Sequence, residues 1–281
     1  MLKNKNVVLT GATSGIGMET AKLLLSEGAN IIGIGSSKTS CIKASQKLDN
    51  LNGNITFIEC DLSDQAAIHN VVGLINEQLP QLHCLINNAG AIYLKFHKDK
   101  IGIEKTFSVN YLGHYLLTRL LLSNLMSVSE SIIVNVTSVA YKSGSLNLDE
   151  LSSSNITAKN AYTRSKLAQV LFTQTLAKKL KGSTVSVNCL HPGLIGTNLL
   201  SKNGLIGSLL TTAHKIVGRS AKYGADHVMH NVRLMGNNNA NGQYYSNSKS
   251  EKLLPHALDD QTAEGLWKLS STLCNLPIEI V

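Results

Sequence analysis

Short apolar, β-branched runs alternate along the chain with longer segments of helical period. Val7-Val8-Leu9 reads as a strand, followed by Ile31-Ile32-Gly33-Ile34 and by Ile55 to Cys60. Leu82 to Asn87, Ser131 to Thr137 and Val185 to Leu190 continue the series. After the first strand, Ile16, Thr20 with Ala21, and Leu23 with Leu24 fall at helical spacing between Gly15 and Glu27. Further helical candidates cover 64–79, 108–126 and 160–181. Strands that alternate with helices predict an α/β fold, a parallel sheet covered on both faces. The polar stretch Asn237 to Gly242 is a turn, and no low-complexity linker or long repeat divides the chain. Residues 1–281 therefore read as a single domain.

Composition narrows the class. With 43% hydrophobic and 16% charged residues, a disordered or fibrous chain is excluded. The net charge of +8 comes from 26 Lys and Arg against 18 Asp and Glu, but the basic residues are scattered, with no run of five. This predicts an ordinary basic surface and no nucleic-acid partner. Five cysteines (Cys41, Cys60, Cys84, Cys189, Cys274) stand far apart without a C-x-x-C pair, so neither disulfides nor a metal site is expected. The N-terminus runs into the first strand without a secretory apolar region, and the greasiest stretch, Tyr111 to Leu122, is broken by His114 and Arg119. A cytoplasmic protein is the expectation.

Strand one ends in Thr10-Gly11-Ala12-Thr13-Ser14-Gly15-Ile16-Gly17, just before a helix. Its glycines, at 11, 15 and 17, are spaced differently from the G-x-G-x-x-G dinucleotide fingerprint, but the physics is shared. Glycine allows positive φ and lets a pyrophosphate approach the backbone, while the helix N-terminus offers free N–H groups. The second strand ends in Gly35-Ser36-Ser37-Lys38, without the carboxylate that would bond a ribose diol and repel a 2′-phosphate. Hydroxyls and Lys38 suit a 2′-phosphate, which favours NADP(H) over NAD(H); the alternative is that Lys38 is a solvated loop lysine. After the third strand, Asp61, followed by Leu62, either meets an adenine amino group or caps a helix.

Tyr162-Thr163-Arg164-Ser165-Lys166 places a phenol and an ammonium one helical turn apart. A phenol titrates near ~10 and works at neutral pH only when its anion is stabilised, as a neighbouring ammonium would do.

These pieces together resemble the short-chain dehydrogenase/reductase family across nearly the whole chain, in the family's order: TGATSGIG at 10–17, Asp61-Leu62, Asn87-Asn88-Ala89-Gly90, Asn110, a serine after strand five, YTRSK, and His191-Pro192-Gly193. The resemblance implies a doubly wound Rossmann sheet of seven mostly parallel strands, ordered 3-2-1-4-5-6-7. It implies an NADP(H)-dependent oxidoreductase interconverting a carbonyl and an alcohol, with Tyr162 as general acid/base. Lys166 would lower the tyrosine's pKa and hold the nicotinamide ribose, and Ser138 would orient the carbonyl, with Thr137 as a weaker stand-in. Asn110 matches the position that keeps a water between Lys166 and solvent; otherwise it is a buried amide satisfying a helix kink. The cofactor would lie against Gly11, Thr13, Ser14, Gly15, Ile16 and Gly17 at the turn, and against Ser36, Ser37, Lys38, Asp61 and Leu62 at its adenosine end. Asn88, Ala89 and Gly90 would stand beside the adenosine ribose, with a structural role weightier than contact. Tyr162, Lys166, Pro192, Gly193, Ile195 and Thr197 would surround the nicotinamide.

Ser138 and Tyr162 stand further apart than in the simplest members, the extra polar stretch running from Tyr141 to Asn160. Such an insertion is familiar in the retinol-dehydrogenase-like branch, and it is expected to shape one wall of the substrate cleft. The stretches Gly242 to Tyr245 and Ala263 to Ser270 also resemble that branch and the WW-domain-oxidoreductase-like proteins, and imply a finishing strand and helix. The apolar 198–218 segment reads as a substrate lid for an apolar or bulky molecule, or else as an amphipathic helix on a membrane or partner subunit. His114 reads as a satisfied core histidine. Carbon–carbon double-bond reduction on the same fold, and a non-catalytic NADP(H)-binding scaffold or sensor, are the rival functions. Family members often form homo-oligomers.

Overall fold

A computed structural model describes residues 2–49, 53–195, 203, 219–237 and 240–280. The first four strands are β1 (Asn6–Thr10), β2 (Asn30–Gly35), β3 (Asn54–Glu59) and β4 (Cys84–Asn87). They are followed by β5 (Ser131–Val136), β6 (Val185–His191), β7 (Tyr244–Ser246) and β8 (Lys249–Glu251). The sheet order is β3-β2-β1-β4-β5-β6-β7-β8. All neighbours are parallel except β7 and β8. The expected order of seven strands is thus present and an eighth is added to it. Asn247 and Ser248 join β7 to β8, with φ of +49° and +59°. Two consecutive left-handed residues match the twist of a two-residue hairpin. β8 is a polar edge, Lys-Ser-Glu, exposed throughout, which discourages pairing with another chain.

Helices α1 (Gly15–Ser26), α2 (Lys38–Leu48) and α3 (Gln65–Gln78) make the crossovers of the first half. The region 108–126, expected as one helix, is broken. The short α4 (Lys105–Phe107) leads into a π-helical turn at Ser108–Leu112, then α5 (Gly113–Leu120) and α6 (Leu122–Met126). The long α7 (Ala158–Lys179), α8 (Ala221–Val232) and α9 (Asp260–Leu273) follow among the described residues.

Alternation along the strands divides the core. Val7 and Leu9 of β1 face the layer of α1, α2 and α8, with Leu24, Ala44 and Val228. Val8 faces the layer of α3, α5, α7 and α9, with Ile68, Leu116, Leu171 and Trp267. The central strands β4 and β5 are buried at every position, which is why they read as continuous runs rather than alternating ones. Among the described residues, no helix is long and apolar enough to cross a membrane.

Candidate active site

A cavity of about 970 Å³ opens along the carboxyl ends of the parallel strands, from the β1–α1 turn to the N-terminal part of α7. At one end the turn is built for a close ligand. Gly11 has φ +66°, and a Cβ on Gly17 would stand 2.2 Å from the Gly11 carbonyl oxygen and 2.7 Å from Asn88 Nδ2. Ser14 caps α1 without a side-chain hydrogen bond, and no acidic residue sits in the first turn. The helix N-terminus therefore keeps N–H groups and positive potential for an anion. Thr13, Ser14, Gly15, Ile16 and Gly17 all line the cavity. These features fit a dinucleotide pyrophosphate.

Beyond the end of β2, Ser36 and Ser37 line the cavity with Ser40, whereas Lys38 does not. Lys38 is exposed in the first turn of α2. The Ser37 hydroxyl caps that helix, accepting from Ser40 N at 3.3 Å. Asp61 and Leu62 are also in the wall. The helix-cap alternative for Asp61 is overturned: Asp64 is the N-cap of α3, accepting from Ala66 N at 3.1 Å. Asp61 instead holds its own turn, accepting from Ser63 N and Ser63 Oγ at 2.9 and 2.8 Å.

The Asn87 to Gly90 segment is a joint in the sheet. Asn87 Nδ2 donates to Asn135 Oδ1 and Thr118 Oγ1 at 2.8 and 2.9 Å. Asn88 N and Ala89 N both donate to Thr10 Oγ1 at 2.9 Å, and Asn88 Nδ2 donates to Thr10 O at 2.9 Å. Asn88, Ala89 and Gly90 nevertheless present themselves to the cavity as well.

At the other end Ser138, Tyr162 and Lys166 share the wall. Ser138 follows β5, its Oγ accepting from Ala140 N at 3.2 Å. It also hydrogen-bonds the Tyr162 phenol, the one influence that pulls that phenol's pKa down; burial outweighs it and holds the group above its ordinary value near 10. Lys166 Nζ lies 5.6 Å from the centroid of the Tyr162 ring. It donates to Val136 O at 3.1 Å and Gln169 Oε1 at 2.8 Å. Burial pushes its pKa down to about 7. The expected lowering of the phenol by this ammonium is therefore not the dominant effect here, where desolvation of both groups is larger. Thr137 is occupied elsewhere, its hydroxyl donating to Lys166 O at 3.1 Å.

Asn110 is fully buried in the π-helical turn and does not line the cavity. Its Nδ2 donates to Ala91 O and Ser165 Oγ at 3.0 Å, and its Oδ1 accepts from Ala91 N at 2.8 Å. The amide thereby ties the loop after β4 to α7, next to Tyr162 and Lys166. His114 is a core histidine, placed 2.9 Å from both Thr10 Oγ1 and Asn110 O. Burial lowers its pKa to about 4.

Pro192, Gly193 and Ile195 line the cavity beyond the end of β6; Thr197 and the 198–218 segment, Asn203 apart, lie outside the described residues. Asn203 Oδ1 accepts from Leu94 N and its Nδ2 donates to Ile92 O, both at 2.7 Å, beside cavity residues Ile92 and Tyr93. The expectation for the Tyr141 to Asn160 stretch is corrected: none of these residues lines the cavity, and Val139 and Ala140 do so instead. The stretch is anchored on the core instead, through the buried Tyr141 and Leu151, with Arg164 Nη1 donating to Glu150 O at 2.9 Å. Sequence reasoning also passed over His191 and Tyr93 as wall residues. The place of His191 at the end of β6 was the available signal.

The wall thus carries a phosphate-sized turn at one end and a hydroxyl, a phenol and an ammonium at the other. The short chain dehydrogenase family model matches residues 5–204, and the chain belongs to this family of oxidoreductases, which bind NAD(H) or NADP(H). Among curated proteins it is 37% identical over 283 residues to human retinol dehydrogenase 12, covering 98% of this chain and 88% of the relative. It is 34% identical over 293 residues to mouse retinol dehydrogenase 14, covering 98% and 87%. An uncharacterised protein from Mycobacterium paratuberculosis has a similar structure, with TM-score 0.76, 27% identity and coverage of 100% of this chain and 96% of that one.

Proposed function

We propose that the protein is an NADP(H)-preferring oxidoreductase interconverting a carbonyl and an alcohol on an apolar or bulky small molecule. The observation that carries the reading is the joint presence of Ser138, Tyr162 and Lys166 in the cavity that begins at the glycine turn. The bound dinucleotide supplies or accepts the hydride. In reduction, the Ser138 and Tyr162 hydroxyls hold the carbonyl oxygen, and Tyr162 gives it the proton that completes the alcohol. Lys166 offsets charge that develops on the phenol as its proton leaves. The names of the relatives, retinol dehydrogenases, support a bulky apolar substrate. The absence of a carboxylate in Gly35-Ser36-Ser37-Lys38 supports the 2′-phosphorylated cofactor.

The test is NADPH oxidation with a panel of apolar aldehydes and ketones. The wild type turns over while Tyr162→Phe loses about a thousandfold in kcat and still binds NADPH. Equal turnover by the two overturns the assignment of Tyr162. Tighter binding of NADH than NADPH overturns the cofactor preference.

A further inference from the structure

Gln169 is buried at 2% exposure, three residues beyond Lys166 on α7. Its Oε1 accepts from Lys166 Nζ at 2.8 Å, while its buried Nε2 has no hydrogen-bond partner among the described residues. Most buried side-chain amides pair their polar atoms. This one leaves the donor end unused and spends the acceptor end on an ammonium. Among the described residues, the other acceptor bonded to that ammonium is a backbone carbonyl, Val136 O at 3.1 Å.

We propose that Gln169 is a positioning residue for Lys166, fixing both the place of the ammonium beside Tyr162 and its charge state. The titratable groups that face Lys166 are Tyr162 on its own helix, His114 from α5 and His191 from the end of β6. None of them is a carboxylate. Both histidines are pushed down to about 4 by burial, so neither carries charge near neutrality. The groups that oppose desolvation of the ammonium are therefore two neutral carbonyl oxygens, and Gln169 supplies the one on a side chain. An acceptor bonded to the charged form favours that form. Its effect on turnover rests on the Tyr162–Lys166 reading above; its effect on Lys166 itself does not.

The experiment follows the Lys166 side-chain resonance by NMR in protein labelled at lysine, assigned by its loss in Lys166→Arg, alongside the pH profile of kcat/KM. Gln169→Leu removes the acceptor and lowers the Lys166 midpoint by about one pH unit; Gln169→Glu sets a carboxylate there and raises it by about as much. Gln169→Asn, one methylene short of Nζ, follows the Leu variant and replaces it if that variant fails to fold. The alkaline limb of kcat/KM, where the ammonium loses its proton, moves in the same directions. A loss of packing would not move Leu and Glu variants oppositely. An unchanged midpoint in all variants, or moved midpoints with an unmoved profile, overturns the proposal. Opposed midpoints in a wild type that reduces no carbonyl support Gln169 as the partner of Lys166 and sink the proposed reaction instead.

Discussion

Two buried polar clusters stand on either side of β5, and they are built on different terms. Around Thr10 the threonine and histidine side chains are fully paired: Thr10 Oγ1 accepts two backbone N–H groups and meets His114 Nε2, while His114 Nδ1 meets Asn110 O. Around Lys166 the accounts stay open. Among the described residues Gln169 Nε2 and His191 Nδ1 are buried without partners, and burial shifts both Lys166 and Tyr162 toward their neutral forms. Saturated clusters hold elements together, since each partner lost leaves another group unsatisfied. An undersaturated one, with its pKa values displaced in a cleft, retains the capacity to react. The first cluster is a joint between β1, β4 and α5; the second carries the reaction proposed above.

Substitutions can break this contrast at either pole. The largest effect falls on the open cluster, where Tyr162→Phe removes the proposed proton donor at little cost in stability; a large fall in Tm would place the phenol among the structural groups instead. Next is Gly17→Ala at the phosphate end, whose Cβ would meet the Gly11 carbonyl oxygen at 2.2 Å and force the turn to move. Dinucleotide affinity should fall on the order of a hundredfold, about 2.7 kcal/mol, measured by fluorescence titration with NADPH. In the saturated cluster the effect changes kind. Thr10→Val takes the acceptor from Asn88 N and Ala89 N together, and should cost about 3 kcal/mol of folding stability in denaturant titration. An unchanged midpoint would show that water replaces the threonine hydroxyl without loss.

The sequence was most legible where burial is complete. Ile132-Ile133-Val134 and Leu85-Ile86 announce their strands because both faces are covered. It was least legible where the buried face is small or polar. The buried residues of α2 are Cys41, Ala44 and Leu48, a stripe too thin to stand out, and α8 buries His227 and Asn231 among its apolar residues. β8 has no buried residue at all, so only the left-handed pair at Asn247 and Ser248 could have announced it. In the site, the glycine turn and the Tyr162–Lys166 pair were legible because their spacing is fixed by local geometry. Gln169 was not, because a glutamine inside a long helix looks solvated until the fold buries it. The reading of Asp61 as a cap fails because α3 begins at Gln65, directly after Asp64.

The smallest effect separates the clusters by pH. Lys166 titrates at about 7 in the folded chain, below its ordinary value of 10.5, so between these values the unfolded chain binds more protons and stability rises with pH. His114 obeys the same sign in another window: from 6.5 down to about 4, stability falls as the unfolded chain takes up the proton that the saturated cluster refuses. Buried thiols act the other way at the alkaline end. Cys60 and Cys189 are pushed from 9.0 to about 12, and their loss of protons on unfolding lowers stability above pH 9. The Lys166 contribution is therefore cleanest between pH 7 and 9, where it should amount to about 2 kcal/mol. Urea titrations across that range should show the rise in wild type and not in Lys166→Met, which removes the buried ammonium but keeps its bulk. His114→Gln should leave this alkaline rise intact and flatten part of the acid loss, with His191, His83 and His227, whose pKa values burial also lowers, contributing to the remainder. A rise that survives in Lys166→Met would mean that the ammonium is hydrated in the folded protein, and the distinction between the two clusters would then fail on the side assigned to chemistry.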